Sequence, residues 1–296
     1  MKASAKNVGD APVSTEKIIE IPLSELHPFK NHPFKVKDDE AMMETADSIR
    51  QYGVLVPAIV RPREDGGYEM IAGHRRHRAS ELAKKDTMPA IVRNLDDDAA
   101  TIIMVDSNLQ REGLLPSERA FAYKMKLEAI KHQGARKDLT SRQVGEKSQT
   151  SIQTVAEQAG ESQRQVQRFI RLTELIPPLL DMVDEKKIAF NPAYELSFLT
   201  PKEQAMLVET MDYEQATPSL SQAQRMKKLI QIGKLTEDSM LAIMSEEKKS
   251  DLDKVTFTTD TLRKYFPKSY TPKRMEETII MLLEQWQRKR QQQQSR

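Results

Sequence analysis

The sequence contains no cysteine, a single tryptophan and only 5% aromatic residues among its 296 positions. The missing cysteine excludes disulfides, thiolate zinc sites and cysteine nucleophiles, and is typical of proteins in a reducing cytosol. No apolar run approaches the length of a membrane span, and the first residues lack the apolar core of a signal peptide. These absences predict a soluble, cytoplasmic protein that has no membrane contact.

The chain also has almost no net charge, because 46 basic residues oppose 44 acidic ones and leave +2. Any surface for nucleic acid must therefore come from local clustering of charge. Hydrophobic residues make up 38% and charged residues 30%, which favours globular domains joined by polar segments. The length fits two or three domains of ordinary size.

The character of the sequence changes along the chain and predicts five regions. Residues 1–17 are small and polar and are predicted to be disordered. Residues 18–115 alternate short strands with helices, as in a small α/β domain. Residues 116–212 carry helical signals only, residues 213–253 are interpreted as a polar linker, and residues 254–296 hold one strand, one amphipathic helix and a basic tail.

Two shorter segments have separate predictions. The polar stretch 134–151 is interpreted as an inserted loop, with glycine ending the helix before it. In the last helix, Met275, Ile279, Leu282 and Trp286 have the spacing of a seam between two helices. That seam predicts dimerisation, and packing within the chain is the alternative.

The stretch AGHRRHRAS, residues 72–80, places three arginines and two histidines directly behind Gly73. A strand is predicted before the glycine and a helix after it. Free amides and the dipole at a helix N-terminus attract anions, whereas arginines there oppose the dipole. Because Arg75 and Arg78 share a face, a phosphate held by amides and guanidinia would offset that cost. The alternative is a surface helix with incidental arginines.

A second polar cluster, SNLQRE at residues 107–112, ends the next predicted helix. Asn108 and Arg111 lie three apart and therefore share one face of that helix. The alternative is an ordinary polar helix end, where arginine also suits the dipole.

Residues 152–172 have the spacing of a helix-turn-helix. Ala156 lets two helices cross, Gly160 makes the turn and Val166 packs the second helix back. Glutamine and arginine suit base edges in a major groove. A plain helical hairpin is the alternative. The predicted DNA-binding residues are Ser162 as N-cap, Gln163, Arg164, Gln167, Arg168 and Arg171.

Four segments, in this order, resemble the N-terminal domain of the ParB family of DNA-segregation proteins: IPLSELHPFKNHPF, SIRQYGVLVPAIVRP, YEMIAGHRRHRAS and SNLQREGLLPSERAFAY. The resemblance covers roughly residues 18–200. It implies an α+β multidomain protein with a small N-terminal α/β nucleotide-binding domain, an all-helical helix-turn-helix domain and a small C-terminal dimerisation module.

The resemblance further implies that the first domain binds CTP with magnesium and closes as a clamp on DNA. Residues carried over to the nucleotide are Gly73, His74, Arg75, Arg76, Arg78, Ser107, Asn108 and Arg111, of which Asn108 would also place the metal. Two positions depart from the family pattern, because His74 and Ser107 stand where glutamates are usual. These departures count against metal coordination and predict at most a slow CTPase.

The function that follows is a centromere-binding partition protein, a homodimer that works on a palindromic double-stranded DNA site with a ParA-type ATPase. It would be located on nucleoid or plasmid DNA, and chromosomal, plasmid and mobile-element systems all stay open. One alternative is a transcription or nucleoid-occlusion regulator built on the same domains. A second is a DNA nuclease, against which counts the lack of a carboxylate cluster around the arginines.

Overall fold

The computed structural model describes residues 17–138, 147–246, 262, 264–267 and 269–294. The chain divides into two compact units, Met1–Ser245 and Glu246–Arg296. A mixed α/β sheet and many helices make up the first unit. Within the described part of the chain, no helix combines the length and the apolar character needed to cross a membrane.

Five strands form one mixed sheet: β1 (Ile18–Pro22), β2 (Leu26–His27), β3 (Ala58–Pro62), β4 (Tyr68–Ala72) and β5 (Thr87–Val92). Their order across the sheet is β1-β5-β3-β4-β2. Strand β3 lies between β4, antiparallel to it, and β5, parallel to it. Apolar side chains from these strands, including Ile21, Val60, Met70 and Met88, form a buried cluster on the sheet.

Three helices alternate with the strands, as the sequence predicts: α1 (Glu40–Tyr52), α2 (His74–Leu82) and α3 (Asp97–Leu109). Asp39 caps α1 by accepting the amide of Met42, and Gly53 ends the helix with φ of 73°. The predicted buried face of α1, Met42, Ala46 and Ile49, packs against Ala79 and Ala83 at α2. The sheet and these helices bring the C-terminal end of β4 and the start of α2 next to α3.

Among the residues that the structure describes, eight further helices follow in the first unit. One continuous core runs through them, with Leu172, Leu179, Leu196 and Leu207 among its fully buried residues. The helices are α4 (Pro116–Asp138), α5 (Lys147–Ala159), α6 (Gln163–Arg171), α7 (Pro177–Asp184), α8 (Phe190–Leu196), α9 (Pro201–Glu214), α10 (Leu220–Gln231) and α11 (Glu237–Met244).

The linker predicted at residues 213–253 is wrong as far as residue 246. Helices α10 and α11 occupy that stretch, and Met226, Met240 and Ile243 are buried in the same core as the preceding helices. Capping boxes at Ser219 and Thr236 begin the two helices. The error arises because a few methionines and isoleucines, spaced among polar residues, suffice to bury one face of a short helix.

The loop predicted at residues 134–151 is also shorter than expected. Helix α4 continues through Gly134 to Asp138, and α5 begins at Lys147. The remainder of that loop, and the strand predicted at residues 254–259, lie outside the described residues.

The second unit contains helix α12 (Pro272–Gln294). Along its predicted seam Met275 is buried, whereas Leu282 and Trp286 are more than half exposed. The helix continues into the low-complexity tail as far as Gln294, so that part is helical rather than frayed. Dimerisation through this helix stays a prediction.

Candidate nucleotide pocket and DNA-facing helix

A pocket of about 150 Å³ lies where β4 ends, α2 begins and α3 ends. It gathers seven of the eight residues that the sequence predicts to bind nucleotide, although they come from segments more than 30 positions apart. Residues 32 and 36, from the turn before α1, close one side. The lining consists of His32, Val36, Ala72, Gly73, His74, Arg75, Arg76, Ser107, Asn108 and Arg111.

Gly73 is the N-cap of α2 and sets the shape of the pocket floor. Its φ of 118° favours glycine, and an added Cβ would lie 3.0 Å from the Cβ of Ala58 on β3. Glycine also supplies no side chain to cap the helix, and α2 has no side-chain cap. The first amides of α2 are therefore left to a ligand, which is the arrangement that binds phosphate at helix N-termini.

The arginines of α2 have different surroundings. Arg75 donates to Asp39, the N-cap of α1, over 3.3 Å. Arg76 donates to the carbonyls of Val56 and Pro57, so it holds the loop before β3 while lining the pocket. Burial lowers the pKa of the Arg76 guanidinium below its ordinary value. Both guanidinium groups therefore line the pocket while they are hydrogen-bonded to the protein.

Arg78 does not line the pocket, so the structure does not bring it together with the other predicted nucleotide residues. Its guanidinium is exposed and donates to Asp38 over 2.6 Å and to Glu81 over 3.0 Å. Hydrogen bonds to these two carboxylates raise the pKa of Arg78 above its ordinary value. Arg75 and Arg78 share a helix face, but acidic neighbours in the turn before α1 and on α2 itself retain the second of them at the surface.

Ser107, Asn108 and Arg111 form the wall from the end of α3. Arg111 donates to the Asn108 side-chain oxygen over 3.3 Å, while the Asn108 amide nitrogen donates to the carbonyl of Met104 over 2.9 Å. Ser107 donates to the same carbonyl. Arg111 is thereby held with its cationic end at the pocket.

This wall does not fit a protein-held magnesium ion. The oxygen of Asn108 faces a guanidinium rather than a cation site, and nearby Asp106 is paired with the buried ammonium of Lys126. No carboxylate lines the pocket, and the described residues contain no group of three or more possible metal ligands of the His, Cys, Asp or Glu type. The predicted metal role of Asn108 is therefore not supported by its geometry.

His32 is a pocket residue that the sequence reasoning missed. Its ring stacks on that of His74, with centroids 3.8 Å apart and planes 34° apart. The only signal was its place in the proline-rich turn NHPF, directly before the predicted helix α1. Since histidine is common on protein surfaces, the turn alone gave no reason to place it in a site.

Both imidazoles are neutral near pH 7. Burial, and then the neighbouring His32 and His77, lower the pKa of His74 to about 3. Burial is also the largest cause that lowers the pKa of His32. Nε2 of His74 accepts from the amide of Phe29 over 3.4 Å. The pair thus adds hydrogen-bonding edges to a strongly cationic pocket without adding charge.

The turn before α1, which supplies residues 32 and 36 to the pocket, is connected directly to the helical part of the unit. The amide of Lys35 donates to buried Glu118 over 2.7 Å, and Glu118 also accepts from the amide of Leu115 over 2.9 Å. The Lys35 ammonium lies 3.6 Å from Asp184 of α7, which accepts from Ser117 of α4. These bonds join the pocket turn, the start of α4 and α7.

Helices α5 and α6 are joined by a turn at Gly160, whose φ is 67°. Ser162 caps α6 by accepting the amide of Gln165 over 3.1 Å, the position that the sequence predicts for it. Ala156 and Val166 are buried between the helices. Glu161 in the turn is neutralised by Arg119 of α4 at 3.2 Å, so its negative charge is offset.

Fewer residues of α6 are exposed to solvent than the sequence predicts. Gln163, Arg164 and Gln167 are exposed. Arg168 donates to Asn191 over 2.6 Å and lies over the rings of Phe190 and Tyr194 of α8.

Arg171, predicted to face DNA, turns toward α8 instead. It donates to the carbonyl of Ser197 over 2.9 Å and lies 4.4 Å from the ring centre of Phe198. These contacts give Arg171 a packing role and leave the exposed face to the first two turns of α6.

Comparison with known proteins places this sequence in a family. The ParB N-terminal domain matches residues 8–109. The chromosome-partitioning protein Spo0J of Thermus thermophilus is 33% identical over 192 residues, which cover 65% of this chain and 64% of that protein. The nucleoid occlusion protein of Halalkalibacterium halodurans is 31% identical over 218 residues, which cover 73% of this chain and 70% of that protein. The chain belongs to the ParB family.

Within the ParB family, partition and nucleoid-occlusion proteins resemble the chain about equally. The match spans slightly less than two thirds of the length of the Thermus Spo0J. A solved structure, the C-terminally truncated ParB of Caulobacter crescentus complexed with CTP-gamma-S, is 27% identical and covers 66% of this chain and 99% of that one, with a TM-score of 0.31. The specific system in which the chain works is not distinguished by these relatives.

Proposed function

We propose that this ParB-family chain binds CTP in the pocket at the start of α2 and, as a homodimer, clamps a palindromic DNA site during DNA segregation with a ParA-type ATPase. The observation that carries the proposal is the convergence of Gly73, Arg75 and Arg76 with Ser107, Asn108 and Arg111 around one cavity. The family resemblance leads us to expect that the segments AGHRRHRAS and SNLQRE meet at a nucleotide site.

A triphosphate fits the chemistry of this pocket. Amides at a helix N-terminus and guanidinia from two elements present donors and positive charge to one volume, and no carboxylate opposes an anion there. CTP is the nucleotide implied by the ParB family. Gly73 admits the phosphates close to the backbone, and Arg111 neutralises them from the α3 side.

Hydrolysis of bound CTP is proposed to be slow or absent. His74 and Ser107 stand where the family usually has glutamates, and the side chains of both residues are uncharged and hydrogen-bonded within the protein. A magnesium ion that accompanied the nucleotide would find phosphate oxygens rather than protein carboxylates as ligands.

The exposed start of α6 is the proposed DNA-reading surface. Gln163, Arg164 and Gln167 are free to meet base edges, and residues near the start of a recognition helix are usually those that do so. Arg168, anchored to α8, is placed to meet a phosphate. The pocket-to-helix bonds at Glu118 and Asp184 then offer a path by which nucleotide binding affects the DNA-binding helices.

The remaining parts of the proposal concern assembly. The three-part arrangement includes a nucleotide domain, a helical DNA-binding domain and a dimerising module at 254–296. The exposed Leu282 and Trp286 of α12 support a helix that pairs with a second copy. The chain would act on nucleoid or plasmid DNA.

A nucleoid-occlusion or transcription regulator is the second candidate. It is supported by the nucleoid occlusion protein of Halalkalibacterium halodurans, which is about as similar to the chain as the Thermus Spo0J. A ParA-type gene beside the coding sequence would favour segregation. The nuclease alternative has no support in the pocket, where the described lining contains no acidic residue.

The proposal is tested by selecting binding sites from random duplexes with the full chain and then measuring its retention on a duplex that carries the selected site. Retention should require CTP and blocked duplex ends, because a closed clamp slides off an open end. Equal retention without CTP, or on open-ended DNA, would contradict the clamp. UTP and ATP serve as controls for the nucleotide.

A further inference from the structure

The Nε2 atom of His32 is a buried polar atom with no hydrogen-bond partner among the described residues. The same side chain lines the candidate nucleotide pocket. A buried polar atom without a partner destabilises the folded state, so such atoms are rare and need an explanation.

The chemical character of that nitrogen follows from its neighbour. Nδ1 of His32 lies 2.9 Å from the carbonyl oxygen of Phe34, and a carbonyl can only accept. Nδ1 therefore carries the ring proton. Because burial lowers the pKa of His32, the ring is neutral near pH 7 and Nε2 is a bare acceptor. A phosphate oxygen, which also accepts, cannot satisfy it.

His32 differs in this respect from most of the pocket. Arg75, Arg76 and Arg111 and the first amides of α2 all donate. The oxygen of Asn108 already accepts from Arg111, and that of Ser107 accepts from Asn108. His32 thus supplies the unfilled acceptor of a donor-rich site, and its complement on a ligand is a hydroxyl or an amino group.

The position of His32 selects between these two groups. Its ring stacks at 3.8 Å on His74, which is the first residue of α2. The triphosphate is assigned to that helix end, and the sugar is the part of a nucleotide that is bonded to the phosphates. For a nucleotide whose phosphates occupied that helix end, a ribose hydroxyl would therefore be closer to His32 than the amino group of the base.

We propose that Nε2 of His32 accepts a hydrogen bond from a ribose hydroxyl of the bound nucleotide, so that the pocket selects ribonucleotides over deoxyribonucleotides. The inference rests on the proposed nucleotide function and names the residue that recognises the sugar. The stack on His74 and the bond to Phe34 orient the ring for this contact.

The test is calorimetric titration of the full chain with CTP, 2′-deoxy-CTP, 3′-deoxy-CTP and UTP. His32→Phe retains an aromatic ring against His74 but has no acceptor, and His32→Gln restores an acceptor oxygen. The wild type should bind CTP roughly fivefold more tightly than at least one deoxy analogue, as expected for one hydrogen bond. His32→Phe should bind CTP and that analogue equally, and His32→Gln should recover part of the preference.

The outcomes separate this inference from the function on which it rests. If the wild type binds CTP and both deoxy analogues equally, or if His32→Phe retains the preference, the sugar contact is wrong although the nucleotide site stands. If His32→Phe changes only the ratio of CTP to UTP affinity, the contact is with the base and the proposal is overturned. If the wild type binds no cytidine nucleotide, the proposed function itself fails. Unfolding curves of both variants show whether the fold is retained.

Discussion

Replacing Glu118 with glutamine should loosen the connection between the nucleotide pocket and the helical part of the chain. Glu118 is 6% exposed and lies in the first turn of α4, where its two oxygens accept from the amides of Lys35 and Leu115. Glutamine offers one oxygen and one NH₂ group, so one of these buried amides would face a donor.

The expected loss of stability follows from those contacts. A hydrogen bond to a charged group is worth roughly 1.5 to 3 kcal/mol. Loss of the negative charge at a helix N-terminus adds about 0.3 to 1 kcal/mol. The sum is about 2 to 4 kcal/mol, which corresponds to a fall in Tm of roughly 4 to 16 °C for a unit of this size.

Thermal and urea unfolding of the full chain measure this effect, with Glu128→Gln as the matched control. Glu128 lies on the same helix but is exposed, so its substitution should change stability by less than about 0.5 kcal/mol. Because Lys35 belongs to the turn that carries His32, Glu118→Gln should also weaken CTP binding severalfold. Equal stability of the two variants would show that the Glu118 bonds do not hold the turn.

Three further predictions concern the histidines, the DNA-facing helix and hydrolysis. The pKa of His74 is about 3 in the folded chain and 6.5 when unfolded, so the stability that neutral His74 contributes above pH 6.5 is lost as pH falls toward 3. His74→Gln should therefore reduce the dependence of the unfolding free energy on pH, measured by urea titrations at several pH values. An unchanged pH dependence would refute the assignment. Arg164→Ala should cost about 1 to 3 kcal/mol of binding free energy on the specific DNA site and relax sequence preference. Arg168→Ala should instead weaken binding to all duplexes and lower the salt slope by about one unit. Salt titrations of both variants against site and scrambled DNA measure these effects, and specific binding that neither variant changes would exclude α6 as the reading helix. Phosphate release from CTP should stay at background with the specific DNA present, and a DNA-stimulated release would show that the family's missing glutamates are dispensable here.

Most of the sheet and its helices were predictable because their signals are local, whereas the two-residue strand β2 was not predicted. Alternation in IIEIP, the buried face of α1 and the glycines that end elements depend on neighbouring residues only. Residues 213–253 show short helical patches, but the packing of α10 and α11 was missed because their few apolar residues become a core only against α8 and α9, and no local pattern shows that packing.

The candidate site shows the same limit at the level of side chains. The family resemblance assigned Gly73, Asn108 and Arg111 to one nucleotide site, but it could not show that Arg78 would pair with Asp38. The contacts of Arg171 were likewise decided by Ser197 and the ring of Phe198, which follow α8 and lie more than 20 positions away. Each guanidinium can pair with several groups that are distant in the sequence, and only the folded structure shows which of them it contacts.

The central claim is that the pocket at the start of α2 holds a cytidine triphosphate, and calorimetric titration of the full chain with each of the four ribonucleoside triphosphates tests it most directly. CTP should bind preferentially. Arg111→Ala should weaken CTP binding by about 1.5 to 3 kcal/mol, or roughly 10- to 150-fold. Arg78→Ala should leave CTP binding unchanged because Arg78 lies outside the pocket. No binding of any nucleotide, or equal CTP affinity of the wild type and the Arg111 variant, would contradict the account.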